Sequence, residues 1–118
     1  MTDAIGIRRA GAEDIAALAP LFDAYRVFYG KPSDLAVARA FLTERLQREE
    51  SVIFLAEDGD RTALGFTQLY PGFSSVSVAR TLTLNDLFVQ PAARRRGVAK
   101  QPLAAAAAHG RALGAVRL

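Results

Sequence analysis

Apolar positions along the chain change period several times, and each change marks an element. Ala4 to Arg9 alternates weakly, with Ile5 and Ile7 on one face, and predicts a short first strand. Gly11 and Ala12 break it. Glu13 and Asp14 then stand where the first turn of a helix favours acids. Ile15, Leu18, Ala19, Phe22 and Tyr25 recur at three- and four-residue spacing, so residues 13–28 predict an amphipathic helix. Gly30-Lys31-Pro32 ends it. Ser33 or Asp34 can cap a second helix, with Leu35, Ala38, Phe41, Leu42 and Leu46 on its apolar stripe and an end near Arg48.

From there the pattern is extended. Ser51 to Glu57 is a near-continuous apolar strand, and Asp58-Gly59-Asp60 predicts a hairpin turn with Gly59 supplying a positive φ. Ala63 to Tyr70 is the return strand, broken by Pro71-Gly72. Phe73 to Val78 reads as a Ser-rich loop, and Ala79 to Val89 as a third long strand. Pro91 to Gly97 is a short basic connection. A third helix follows from about Val98 to Leu113, the five alanines at 104–108 favouring it; Gly114 ends it, and Ala115 to Leu118 opens another strand.

The order is β-α-α-β-β-β-α-β. A strand–helix–strand crossover makes its last two strands parallel, whereas the earlier hairpin is antiparallel. The expected fold class is therefore α/β, a three-layer sandwich around a mixed sheet, as one domain over residues 1–118. Hydrophobic residues form 51% of the chain, too many for disorder. Absence of cysteine excludes disulfides, thiolate nucleophiles and cysteine metal sites, and one histidine excludes a multi-histidine centre, so no metal is expected. The longest apolar run, Leu103 to Ala108, is far short of the ~20 residues of a membrane span. The N-terminus lacks an apolar signal segment. A cytoplasmic protein with no membrane partner is the expectation.

Charge is unevenly distributed. Residues 1–60 carry a balance of −4 and residues 61–118 one of +7, with Asp86 the only acid of the second part. A basic half dominated by arginine points to a phosphate-bearing partner. Nucleic acid fits poorly, because no aromatics interleave with the basic run. The run itself, Arg94-Arg95-Arg96-Gly97-Val98-Ala99-Lys100, turns from a strand into a helix. Free N–H groups of such a first turn form an anion site, and Gly97 lets backbone approach a phosphate.

Arg94-x-x-Gly97-x-Ala99, after a strand ending Leu87-Phe88-Val89, resembles the acetyl-CoA motif of the GNAT superfamily of N-acetyltransferases. The element order over residues 4–118 resembles it too. The run Leu84 to Val89 is most similar to the small-amine branch, which includes diamine acetyltransferases. The resemblance implies acetyl-CoA as cosubstrate, no metal, and direct transfer of an acetyl group to the primary amine of a small molecule. It implies that backbone of Leu87, Phe88 and Val89 pairs with the pantetheine arm like an added strand. Amides of Arg95, Arg96, Gly97, Val98, Ala99 and Lys100 would hold the pyrophosphate, with Arg94 adding charge. Tyr25, Phe28 and Tyr29 end the first helix, where such enzymes line the acceptor pocket.

Asp86 and Asn85 are the candidate catalytic pair. Asp86 could take the amine's proton or bind a cationic substrate; the alternative is a structural carboxylate paired with Arg80 or an amide. His109 reads as solvated or capping. Two departures from the family pattern stand out. Pro102 falls inside the motif helix, and the chain stops at Leu118 where the family continues with a helix and a strand pair. Self-association through the uncovered end, with a homodimer as one form, is an expectation; a fragment of a longer protein is the alternative. A noncatalytic acyl-CoA-binding remnant is the competing reading.

Overall fold

The computed structural model describes residues 5–96 and 100–113. Four strands and three α-helices are formed: β1 Gly6–Arg9, α1 Ile15–Phe28, α2 Leu35–Gln47, β2 Val52–Glu57, β3 Ala63–Ser74, β4 Ala79–Val89 and α3 Lys100–Leu113. The strands lie in chain order in one sheet, each pair antiparallel. The strand expected at Ala115–Leu118, and with it the parallel pairing of a mixed sheet, lies outside the described residues.

β2 shows why the central strand reads as an unbroken apolar run. Ile53 and Leu55 face α1 and α2, joining Leu18, Phe22, Ala38, Leu42, Phe66 and Phe88 in one core. Val52 and Phe54 face the other way, with Leu69 and Leu82 and with Ala105 of α3. Helices therefore cover both faces, and a strand covered on both faces has no polar side. Burying each of Ile53 and Leu55 completely contributes about 1.5–3 kcal/mol.

Several boundaries differ from the sequence expectation. Asp14 does not lie in the α-helix. It ends a short 3-10 turn, Ala12–Asp14, and accepts hydrogen bonds from both terminal nitrogens of Arg8 (2.9 and 2.6 Å) and from the Gly11 N–H (2.8 Å). The second-helix cap is Asp34, whose carboxylate accepts from the Val37 N–H; Ser33 instead donates to Asp23. Leu35 of the expected stripe stays half-exposed, so Ala38 and Leu42 carry the burial.

The β2–β3 turn takes its positive φ at Arg61 (63°), not at Gly59, because the Asp58 carboxylate accepts from the Asp60 and Thr62 N–H groups and folds the loop around itself. Pro71-Gly72 does not end β3. Beyond Leu69 the strand pairs with β4 alone, so the N–H that Pro71 lacks is not needed on the other side. Pro102 is the third residue of α3, within the turn whose N–H groups have no helical partner, and the helix continues past it.

Candidate acceptor cleft and donor edge

One irregularity in β4 builds the site. Gln68 pairs with Asp86 and Leu69 with Leu84, which leaves Asn85 as an extra residue on β4. Leu82 and Leu84 face α3, and two-residue alternation would send Asp86 and Phe88 the same way. The bulge reverses the phase. Phe88 joins the core under α1 and α2, and Asp86 turns onto that face too.

There Asp86 is almost fully buried, at 4% exposure. Its Oδ2 accepts from the Gln68 side-chain amide at 2.8 Å and its Oδ1 from the Asn85 amide at 3.0 Å. Thr67 donates its hydroxyl to the Asp86 carbonyl at 2.8 Å, fixing the backbone at the bulge. Gln68 Oε1, turned away from the carboxylate, finds no partner among the described residues. Arg80, a possible partner by sequence, lies over the Phe73 ring instead. Among the described residues no cationic side chain forms an ion pair with Asp86.

Asp86 and Asn85 form part of the lining of a cleft of about 350 Å³, toward the small end of ligand sites. Its walls are apolar and mostly aromatic: Phe22 and Tyr25 from α1, Val37 and Phe41 from α2, Tyr70 from β3. Arg26 completes the lining. Burial and then the neighbouring Asp86 carboxylate push the Tyr25 hydroxyl well above the ordinary tyrosine range. Burial and the same charge raise Tyr70. Both phenols are held neutral beside a carboxylate.

Of the acceptor residues expected from sequence, Tyr25 reaches the cleft. Phe28 and Tyr29 do not line it; they are 65% and 67% exposed at the end of α1. Gln68, Tyr70, Arg26, Phe22 and Phe41 were not anticipated as site residues. Alternation from Phe66 through Gln68 to Tyr70 is the signal that could have found two of them.

The candidate donor side lies at the end of β4. The Gln90 N–H donates to the Leu64 carbonyl on β3, so alternation turns the peptide groups of Leu87 and Val89 toward the other edge. Among the described residues that edge carries no further strand. Leu87 and the N–H of Val89 can thus pair with an extended ligand, as the pantetheine assignment requires. Phe88, between them, points into the aromatic core. Arg94 is less available than its charge suggests. Its Nε donates to the Val89 carbonyl at 2.8 Å, and its guanidinium lies 5.5 Å from the centres of both Phe28 and Phe88. Arg95 and Arg96 end a 3-10 turn, Pro91–Arg96, and Lys100 opens α3. Gly97, Val98 and Ala99 lie outside the described residues.

Residues 18–118 match the model of the Acetyltransferase (GNAT) family. The chain belongs to the GNAT family of acetyltransferases. It is 54% identical over 102 residues to the uncharacterized N-acetyltransferase YhfO of Bacillus subtilis (strain 168), a match spanning 86% of this chain and 68% of that one. The crystal structure of a probable acetyltransferase superposes with a TM-score of 0.91 at 47% identity, covering 95% of this chain and 75% of the other. A predicted acetyltransferase from Clostridium acetobutylicum, solved with acetyl-CoA, shares the fold at a TM-score of 0.78 and 14% identity, over 97% of this chain and 78% of that one. GNAT acetyltransferases use acetyl-CoA, and this chain is an acetyl-transferring enzyme of that family.

Proposed function

We propose that the chain transfers an acetyl group from acetyl-CoA to the primary amine of a small molecule, with the amine seated at Asp86. One observation carries the reading. Asp86 is a buried carboxylate that opens on an aromatic cleft, is held by two neutral amides, and has no cationic partner among the described residues. A carboxylate in such a place lacks a cation, and an alkylammonium supplies one. Aromatic rings around it add attraction for the same charge.

The chemistry follows from the placement. Asp86 takes one proton from the bound ammonium, which leaves the nitrogen lone pair free to attack. The C–N bond forms as the thioester C–S bond breaks, and the second proton that the nitrogen sheds goes to the departing CoA thiolate, giving the amide and free thiol. Leu87 and Val89 at the open edge of β4 orient the donor arm, and the turn into α3 holds its phosphates. Gln68 and Asn85 fix the carboxylate. Self-association is expected through the C-terminal end, whose last five residues lie outside the described residues; light scattering at high micromolar concentration tests it.

Asp86→Asn decides the central point. It keeps the shape, and Gln68 can turn its unpartnered Oε1 toward the new amide. Loss of general-base help lowers kcat/KM for amines about 100-fold or more, with acetyl-CoA affinity unchanged. A variant that acetylates amines at the native rate across pH 6–9 overturns the assignment. Acetyl-CoA binding without turnover on any amine, in the native chain, also counts against it.

A further inference from the structure

The cleft has two charged walls, not one. Arg26, half-buried, contributes to the same lining as Asn85 and Asp86. Arg26 forms no ion pair among the described residues. The nearest acid on its own helix is Asp23, one turn back, whose carboxylate feels the charge of Arg26 but already accepts two hydrogen bonds. Ser33 donates its hydroxyl to one oxygen at 2.6 Å, and the Asp34 N–H donates to the other at 2.7 Å. The guanidinium makes no ion pair and belongs to the lining of a cleft whose one carboxylate among the described residues is Asp86, with the aromatic side chains of Phe22, Tyr25, Phe41 and Tyr70 around it.

From this we infer that the acceptor is an amino-carboxylate: a molecule with an ammonium at one end, an apolar body, and an anionic group at the other end that pairs with Arg26. Arginine suits a carboxylate because its fork can donate two parallel hydrogen bonds. The same residue counts against diamines and polyamines. Their second ammonium would meet a like charge, and the cleft offers no second carboxylate to receive it. This inference rests on the reading that Asp86 seats the amine.

Three matched acceptors separate the possibilities: 4-(aminomethyl)benzoate, benzylamine and 1,4-bis(aminomethyl)benzene, which differ only in the charge at the far end. A flexible series, 4-aminobutanoate, butylamine and butane-1,4-diamine, repeats the comparison at another length. In at least one series kcat/KM favours the carboxylate over the neutral amine about tenfold or more, the worth of one charge-assisted hydrogen bond, and disfavours the diamine. Calorimetric binding of the same compounds gives the same order where turnover is slow. Arg26→Gln abolishes the preference, read as the ratio of kcat/KM for the carboxylate to that for the neutral amine, and Arg26→Lys restores part of it. No preference for the carboxylate in either series, or a preference unchanged in Arg26→Gln, overturns the inference. Asp86→Asn keeps the two ideas apart. If it depresses all acceptors together while far-end charge goes unread, the amine seat stands and the Arg26 assignment falls. Unchanged rates in Asp86→Asn remove the seat itself.

Discussion

The two faces of the sheet are built from different materials. Under α1 and α2 the sheet presents aromatic rings: Phe66 and Phe88 meet Phe22 and Tyr25 at centroid distances near 6 Å, and Phe22 stacks on Phe41 at 5.6 Å. Polar groups are set into that layer at Gln68 and Asp86. Among the described residues, those buried under α3 are Val52, Leu69, Leu82, Ala56, Leu64, Val89 and Ala93, with Phe54 the one phenylalanine. Aliphatic side chains fill space and offer little else. Aromatic rings fill space and also leave a slot with flat, electron-rich walls, into which a charged group can be set. The difference assigns chemistry to one face and support to the other.

The largest test of that division is Leu82→Ala on the supporting face. Leu82 is 1% exposed among Val52, Phe54 and Leu69. Its truncation costs about 2–5 kcal/mol of stability, measured by urea unfolding. Turnover per folded molecule stays at the native level, because neither the cleft nor the open edge touches Leu82. Loss of amine selectivity in the folded fraction would erase the distinction between the faces.

Gly65→Ala probes the seam where both faces meet. A Cβ at Gly65 would lie 2.6 Å from the Phe88 carbonyl oxygen and 3.1 Å from the Val89 Cα, so β4 must shift. Phe88 belongs to the aromatic face and Val89 to the aliphatic one. Overpacking of this kind costs about 1–3 kcal/mol. Unlike Leu82→Ala, it also weakens acetyl-CoA binding, because the displaced segment is the open edge of β4. Calorimetry that shows native affinity would remove that edge from the donor site.

How much of this was legible beforehand depends on the residue. Alternation and helical spacing located every described strand and helix to within a few residues, because a buried run such as Val52 to Ala56 has few other ways to fold. Pro71 was misleading: the rule that proline ends strands assumes a neighbour on both sides, and pairing partners are tertiary facts. Asp86 stood out by being the lone acid among basic residues. Its surroundings did not, since the bulge at Asn85 is one residue of phase slip, and Leu82, Leu84, Asp86 and Phe88 look like a single face on paper. Arg26 was hidden for a similar reason. On a helical wheel it borders the solvated side, and only α2 and β3 close a cavity around it.

Acid should separate the faces next. Asp14 sits at the α1 end of the aromatic face, where hydrogen bonds from Arg8 hold its carboxyl below the usual range against a smaller opposing effect of burial. A carboxyl depressed in the folded state adds stability that is complete above its unfolded pKa, near 3.9, and fades as pH falls through the lower folded value. The Tm therefore drops on acidification below about pH 4. Asp14→Asn lowers the Tm at pH 7, and the gap to the native chain narrows in acid. A gap of constant width from pH 7 to pH 2 would mean that the Arg8 contact adds nothing.

The smallest effect belongs to the supporting face and has the opposite neighbourhood. His109, on α3, is half-buried with its ring edge-on to Phe54 at 5.9 Å, neither solvated nor capping as its sequence position suggested. Burial, and secondarily the charge of Arg9, lower its pKa from the ordinary 6.5. Its neutral form is thus the one the fold accepts. Well above pH 6.5 the folded and unfolded chains both hold it neutral, and it contributes no pH dependence. As pH falls below that value the unfolded chain takes up the proton first, so stability declines. The chain has no second histidine and no cysteine to titrate in this window. Thermal melts between pH 8 and 5 should show a shallow fall in the native chain and a flatter line in His109→Gln, compared by slope so that the lost ring contact does not matter. Equal slopes would show that α3 shields His109 less than its contact with Phe54 indicates, and that the supporting face is wetter than its aliphatic packing implies.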